Sequence, residues 1–235
     1  MEFKEPRFEL DHAFFMCKPY APEMSALEQA GFLRQPHTVS HYDQGTMGRY
    51  FYFDNFYIEF LWISDEDSAL ANVDRCATDM VARSNWREDP GVSPIGLGLR
   101  DLDPGEDMPP KSHRYKADWM RPGEEDVLTV WTLPQRMNEP WVFTMKPDWT
   151  VKPREDLNEE RARSLDHPNG ARVLTDAEIT VVGERRVWKA LRDFADDGRF
   201  SFVEGDEPLV SLTFDEGAQG ETIDFRPDTS LVIHY

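Results

Sequence analysis

The chain is short of cysteine, of positive charge and of long apolar runs, and each shortage excludes a class of protein. Cys17 and Cys76 are the two cysteines in 235 residues, too few for a disulfide framework or a cysteine-rich zinc site. Lysine and arginine number 26 against 45 aspartates and glutamates, a formal net charge of −19. Such a charge repels phosphate backbones, so nucleic acid is not an expected partner. Its plainest consequence is solubility. The longest apolar stretch, 56–63, is interrupted by Glu59 and is too short to cross a bilayer. No membrane partner is expected. The opening run MEFKEPRFELDH holds no apolar signal-peptide core, so a cytoplasmic location is expected. There is no GxSxG, no P-loop and no Ser-His-Asp signature. Gly96-x-Gly98 lacks the third glycine and the following helix of a dinucleotide fingerprint. Two small residues on one strand face are expected to admit a close neighbour instead.

What is present is a foldable, aromatic-rich chain. Hydrophobic residues make up 40% and aromatic residues 12%, too many for a disordered segment. The length suits one to two domains with a sizeable core. A phenylalanine-rich strand is expected over 8–17, a short helix over 21–32, and a weaker strand over 36–43. Two strong strands follow at 48–54 and 56–63, joined by a tight turn at Asp54-Asn55. The stripe Leu70, Val73, Ala77, Met80 and Val81 predicts a helix over 65–86, capped by Ser64 or Asp65. Further strands are expected at 93–100, 126–133 and 140–145. Between them, 101–125 carries four prolines and reads as a mobile loop. The segment 148–170 reads as a connector. From 171 the order strand, helix (184–198) and short strands repeats the opening pattern. A β-α-β-β-β repeat with mostly antiparallel neighbours means an α+β fold, not a Rossmann fold.

The runs LDHAFFM (10–16), HYDQGT (41–46), RYFYF (49–53) and YIEFLWI (57–63), together with HPNGARVLTDAEITV (167–181), resemble the glyoxalase-like branch of the vicinal oxygen chelate superfamily. The resemblance covers 8–63 well and 167–182 fairly well. It implies βαβββ modules pairing into a curled mixed sheet around a cavity. The expected organisation is a glyoxalase-like domain over 1–147, with a first module at 8–63 and a partner module at 92–147. A C-terminal βαβββ-like module at 171–235 is expected to pack on the same body.

In metal-using relatives, a histidine of the first strand and a glutamate of the fourth are ligands. The matching positions are His12 and Glu59. Strand alternation puts Leu10, His12, Phe14 and Met16 on one face, and Tyr57, Glu59 and Leu61 on one face. A carboxylate inside an apolar strand must be compensated, for Glu59 by a metal, by His12 or Arg49, or by cavity water. A core histidine and a glutamate satisfied by a basic neighbour are the plain alternatives. Two further ligands are missing. Ala177 and Val232 stand at the aligned C-terminal positions, and SPIGLGLR and PWVFTM hold no His, Glu or Asp. Either no cofactor or a weakly bound divalent metal is therefore expected.

Within the same resemblance His41, Gln44, Thr46 and Arg49 would present polar groups to a ligand, and His167 would join them. Turn geometry alone also explains these segments. The leading reading is a glyoxalase-like small-molecule-binding protein. As an enzyme it would be a lyase or isomerase acting on a carbonyl or enediol-forming substrate, with Glu59 and His12 catalytic. A non-catalytic binder of an apolar or aromatic compound, and a structural module with a filled cavity, stand beside it. The partner is a small molecule, and a homodimer is left open.

Overall fold

A computed structural model describes residues 7–102, 112–116, 128–131, 135–145, 150–183 and 199–235. The helix expected at 184–198 and most of the loop expected at 101–125 lie outside the described residues, as do Trp119, Trp149 and Trp188.

Alternating apolar residues and the aromatic, β-branched composition of the strong runs give extended chain, as the sequence predicts. They form β1 (Phe8–Met16), β2 (Val39–His41), β3 (Thr46–Tyr52) and β4 (Tyr57–Ile63). The later runs form β5 (Ile95–Asp101), β6 (His113–Tyr115), β7 (Leu128–Val130) and β8 (Trp141–Met145). All eight join one mixed sheet in the order β2-β3-β4-β1-β5-β8-β7-β6. β1 runs parallel to β4, β5 parallel to β8, and β1 antiparallel to β5. The order therefore reads the same from either edge, and the two halves meet at β1 and β5. Strand twist curls this sheet into a half-barrel. The fold is α+β, a curled mixed sheet around a cavity with a few short helices.

A second sheet holds β9 (Leu174–Val181), β10 (Phe200–Glu204), β11 (Leu209–Phe214), β12 (Thr222–Asp224) and β13 (Leu231–His234). Its order is β10-β9-β11-β13-β12. Here the first strand lies parallel to the second, whereas in the first sheet β1 lies parallel to the last strand of its half. The second sheet covers the convex face of the first. Phe51, Phe53, Ile58 and Phe60 share one apolar core with Ala177, Ile179, Leu212 and Phe214. The Phe53 and Phe214 rings meet at a tilt of 31° with centroids 4.2 Å apart. Asn55 closes the seam, donating to Leu174 O at 2.9 Å and accepting from Leu174 N at 2.8 Å. Ala177 and Val232 belong to this sheet, with Ala177 in the shared core.

The helix expected over 65–86 is three short helices instead: α2 (Glu66–Ala71), α3 (Val73–Cys76) and α4 (Met80–Ser84), after α1 (Met24–Gln29). The break is local chemistry. Ala77 adopts the left-handed conformation at φ 53°, and the Asp79 carboxylate accepts from Ala82 N, starting a new helix. Asp65, not Ser64, caps α2 by accepting from Ser68 N. Among the described residues, no helix is long and apolar enough to cross a membrane.

Two buried side chains knit these elements together. Arg83, 1% exposed, donates through Nε to Thr78 Oγ1 at 2.7 Å. Its Nη1 donates to Ser93 O at 2.7 Å and to Glu139 O at 2.9 Å. Burial pulls its pKa down to about 10. Arg83→Met keeps the bulk but strands those acceptors, and should cost about 3 kcal/mol in urea unfolding. His167 clamps the connector to the sheet. Its Nδ1 accepts from Leu33 N at 2.9 Å, and its Nε2–H donates to Tyr52 O at 3.0 Å. A proton on Nδ1 would confront the Leu33 N–H. Burial, the largest cause, lowers the pKa from 6.5 to about 4. The folded pKa lies below the unfolded one, so this stabilisation is complete above pH 6.5 and is lost as pH falls towards about 4. Urea midpoints should fall more steeply across that window for the wild type than for His167→Gln.

Candidate functional site

On the concave face of the curled sheet lies a cavity of about 250 Å³. Phe14, Leu61, Met80, Trp141, Phe143 and Met145 form its apolar wall, with Leu128 beside them. The rest of the lining is polar. It carries His12 and Glu59, the phenols of Tyr50, Tyr52 and Tyr57, and His41 with Gln44.

His12 reaches the cavity through a break in strand alternation. The β1–β5 register shifts between Leu10 and His12, which makes Asp11 the extra residue of a β-bulge. Leu10 therefore packs in the convex core, while Phe14 and Met16 face the concave side with His12. The single face expected for Leu10, His12, Phe14 and Met16 is corrected at Leu10 for this reason. Asp11 is fully buried and satisfied. Its Oδ1 accepts from Arg100 Nη2 at 3.0 Å and from Val151 N at 2.8 Å. Its Oδ2 lies 3.0 Å from His12 Nδ1. An ionised carboxylate only accepts, so Nδ1 is the donor in this contact, and in the neutral imidazole that leaves the lone pair on Nε2. The imidazole stacks on Tyr57 at 4.3 Å with 13° between planes.

The floor needs glycine. His12 pairs with Gly98 and Phe14 with Gly96 across β1–β5. A Cβ at Gly98 would lie 2.0 Å from His12 Cε1, and one at Gly96 would lie 1.9 Å from Phe14 Cε1. Both rings therefore lie flat across β5. Gly48 does the same for Glu59, because a Cβ there would sit 2.2 Å from Oε1. Glu59 is 6% exposed, and its Oε1 has no hydrogen-bond partner among the described residues. Burial first, then the Glu59 charge, push the Tyr50 hydroxyl well above its usual range. Tyr57 is pushed up likewise, by burial and then the Asp11 charge. Burial also raises Tyr52 to about 12 and lowers His41. These phenols stay protonated at neutral pH, and the His41 imidazole stays neutral.

The structure brings His12, Glu59, His41 and Gln44 to one cavity. Thr46 stands behind them, with Oγ1 3.2 Å from His41 Nδ1. Arg49 and His167 are placed elsewhere. Arg49 pairs with Phe60 on the convex-facing register, bonds Thr38 Oγ1 at 3.0 Å and lies over Trp62. His167 is the clamp described above. His37 and His41 are four residues apart, which unites ligands on a helix but not here, where His37 is exposed and His41 ends β2. Sequence reasoning missed Asp11, Arg100 and the three tyrosines. The adjacent Asp11-His12 pair and the alternating Tyr50, Tyr52 and Tyr57 were the available signals.

Register also tests the site against a metal. Phe14 pairs with Glu59, and Gly98 pairs with Phe143. The two-fold relation of the halves makes Phe143 the counterpart of Glu59, Trp141 that of Tyr57, and Gly96 that of His12. The second half thus contributes a phenyl and a glycine at the two positions where ligands would be needed. Among the described residues, no group of three or more His, Cys, Asp or Glu could hold an ion. These residues do not fit a four-ligand centre.

No protein-family model matches the sequence, and no curated protein matches it. The fold itself has precedent. The crystal structure of a hypothetical protein from Staphylococcus aureus is similar over 96% of this chain and 98% of that one, with a TM-score of 0.53 at 10% identity. At that identity the likeness concerns the fold alone.

Proposed function

We propose that this chain is a distant glyoxalase-like protein that binds a small molecule on the concave face of its curled sheet. The observation that carries the reading is the mixed lining of the cavity, with Trp141, Phe143 and Met145 contributed by β8 and converging polar groups contributed by β1 and β4. Such a site takes a molecule with an apolar body and one polar end. A divalent ion would be held by His12 and Glu59 alone, with the rest of its coordination left to water, and should be lost on modest chelation.

A catalytic role rests on a second observation, the Asp11–His12 pair oriented by Arg100. In lyase or isomerase chemistry His12 Nε2 takes a proton from the carbon beside a carbonyl. The C–H electron pair becomes the C=C bond of an enolate, and the oxygen gains the charge. Tyr57, protonated in the cavity wall, is the donor available to that oxygen. Asp11 fixes the tautomer and balances the imidazolium that forms.

The test is solvent deuterium exchange at the α-carbon of aryl-substituted carbonyl compounds, followed by NMR. His12→Asn should slow exchange by roughly 10²–10⁴-fold while binding persists. Asp11→Asn should act in the same direction. Binding without exchange by the wild type would leave the non-catalytic binder as the function.

Gly98→Ala tests the floor of the site. Its methyl must displace the His12 ring, so it should lose exchange and about 1–3 kcal/mol of stability in urea. Normal exchange and stability in that variant would mean that the imidazole does not lie over β5.

A further inference from the structure

We infer that the cavity is built for an organic cation, a protonated amine or quaternary ammonium on an apolar body. The inference rests on the binding reading above and names the ligand class.

Glu59 is the first observation. Its side chain is buried, and Oε1 lacks a hydrogen-bond partner among the described residues. Gly48 holds open the space that the oxygen occupies. The Tyr50 hydroxyl beside it is neutral, so it can contribute a hydrogen bond but no charge. A desolvated carboxylate facing a cavity is costly without a positive partner.

Among the described residues the surroundings supply none. Among the described residues no arginine or lysine lines the cavity. Arg49 is turned to the other face of the sheet, where it lies over Trp62. Arg100 is engaged by Glu9 and Asp11. Arg161 lies over the Tyr52 ring at 5.7 Å and is not part of the lining. The His12 Nδ1 proton is committed to Asp11.

The rings are the second observation. Tyr50, Tyr57, Phe14, Trp141 and Phe143 all line the same space. Aromatic faces carry negative potential and attract a cation within about 6 Å of the centroid, most strongly when water is excluded. An anion would meet this wall and Glu59 with no cationic side chain among the described lining residues. A neutral ligand would leave Glu59 uncompensated. The chain's net charge of −19 adds a long-range field that favours arrival of a cation.

Three probes of one shape separate the outcomes: phenethyltrimethylammonium, phenethyl alcohol and 3-phenylpropionate, titrated into the full chain by calorimetry at neutral pH. The ammonium should bind at least about tenfold more tightly than the alcohol, and the carboxylate weakest. Glu59→Gln should reduce the ammonium to the level of the alcohol, with circular dichroism reporting the fold. If that variant does not fold, Trp141→Leu serves, and it should weaken the ammonium more than the alcohol. Equal binding of ammonium and alcohol, or tightest binding of the carboxylate, overturns the cation assignment and leaves the binding reading standing. Binding of none of the three overturns both.

Discussion

Asp11 has no contact with water and lies in the strand where the two halves of the sheet meet, so its charge must be met inside the protein. Arg100 from β5, the Val151 amide from the connector and the His12 imidazole converge on it. Without them a buried carboxylate would cost several kcal/mol. Their convergence has two effects. It ties β1, β5 and the connector into one body. It also stabilises the bulge that turns His12 onto the concave face. The place of His12 in the polar lining follows from that turn, because the register shift at Asp11 separates its face from that of Leu10.

The two halves share a topology but not a chemistry. Equivalent positions hold Tyr57 and Trp141, Glu59 and Phe143, Leu61 and Met145. One half carries titratable and hydroxylated side chains where the other offers bulk. A symmetric site would place two polar constellations face to face, as a metal requires. An asymmetric one suits the ligand proposed above, a molecule with an apolar body and one polar end. The same asymmetry makes the glycines intelligible. Gly96 and Gly98 sit in the apolar half and forgo side chains so that Phe14 and His12 of the other half can lie over them.

Much of the fold was legible in the sequence, because strands with a buried face advertise themselves by alternation and aromatic content. β1, β3, β4, β5 and β8 fall where those signals are strong. The helix at 65–86 was misread as continuous, since its apolar spacing persists across Ala77 although a left-handed residue breaks it. His12 and Glu59 were legible as a pair on one cavity. The bulge at Asp11 was not, because an extra residue leaves no mark in a pattern of period two. Arg49 was assigned to the cavity by motif, yet counting from Tyr50 and Tyr52 puts it on the opposite face, where the register confirms it. His167 was read as a ligand contact, and its partners, Leu33 and Tyr52, are more than a hundred residues away. No local signal specifies such a pairing, and the same holds for the strand order of the second sheet.

A curled sheet has two unlike faces, and this chain assigns them unlike tasks. The convex face spreads its side chains and needs cover, which the second sheet supplies by packing Phe214, Leu212 and Ala177 against Phe51, Phe53 and Phe60. Aromatic pairs such as Phe53–Phe214 add about 0.5–1.5 kcal/mol beyond the area they bury. The concave face converges its side chains, and with rings lying flat on glycine it keeps an open space. Stability is thus concentrated where no ligand reaches. The concave face can then tolerate a buried carboxylate without a hydrogen-bond partner at Oε1 and phenols held away from water, features that would be destabilising in the core. That separation across a single sheet lets unsatisfied polar groups persist at the site, because the free energy that offsets them is supplied on the other side.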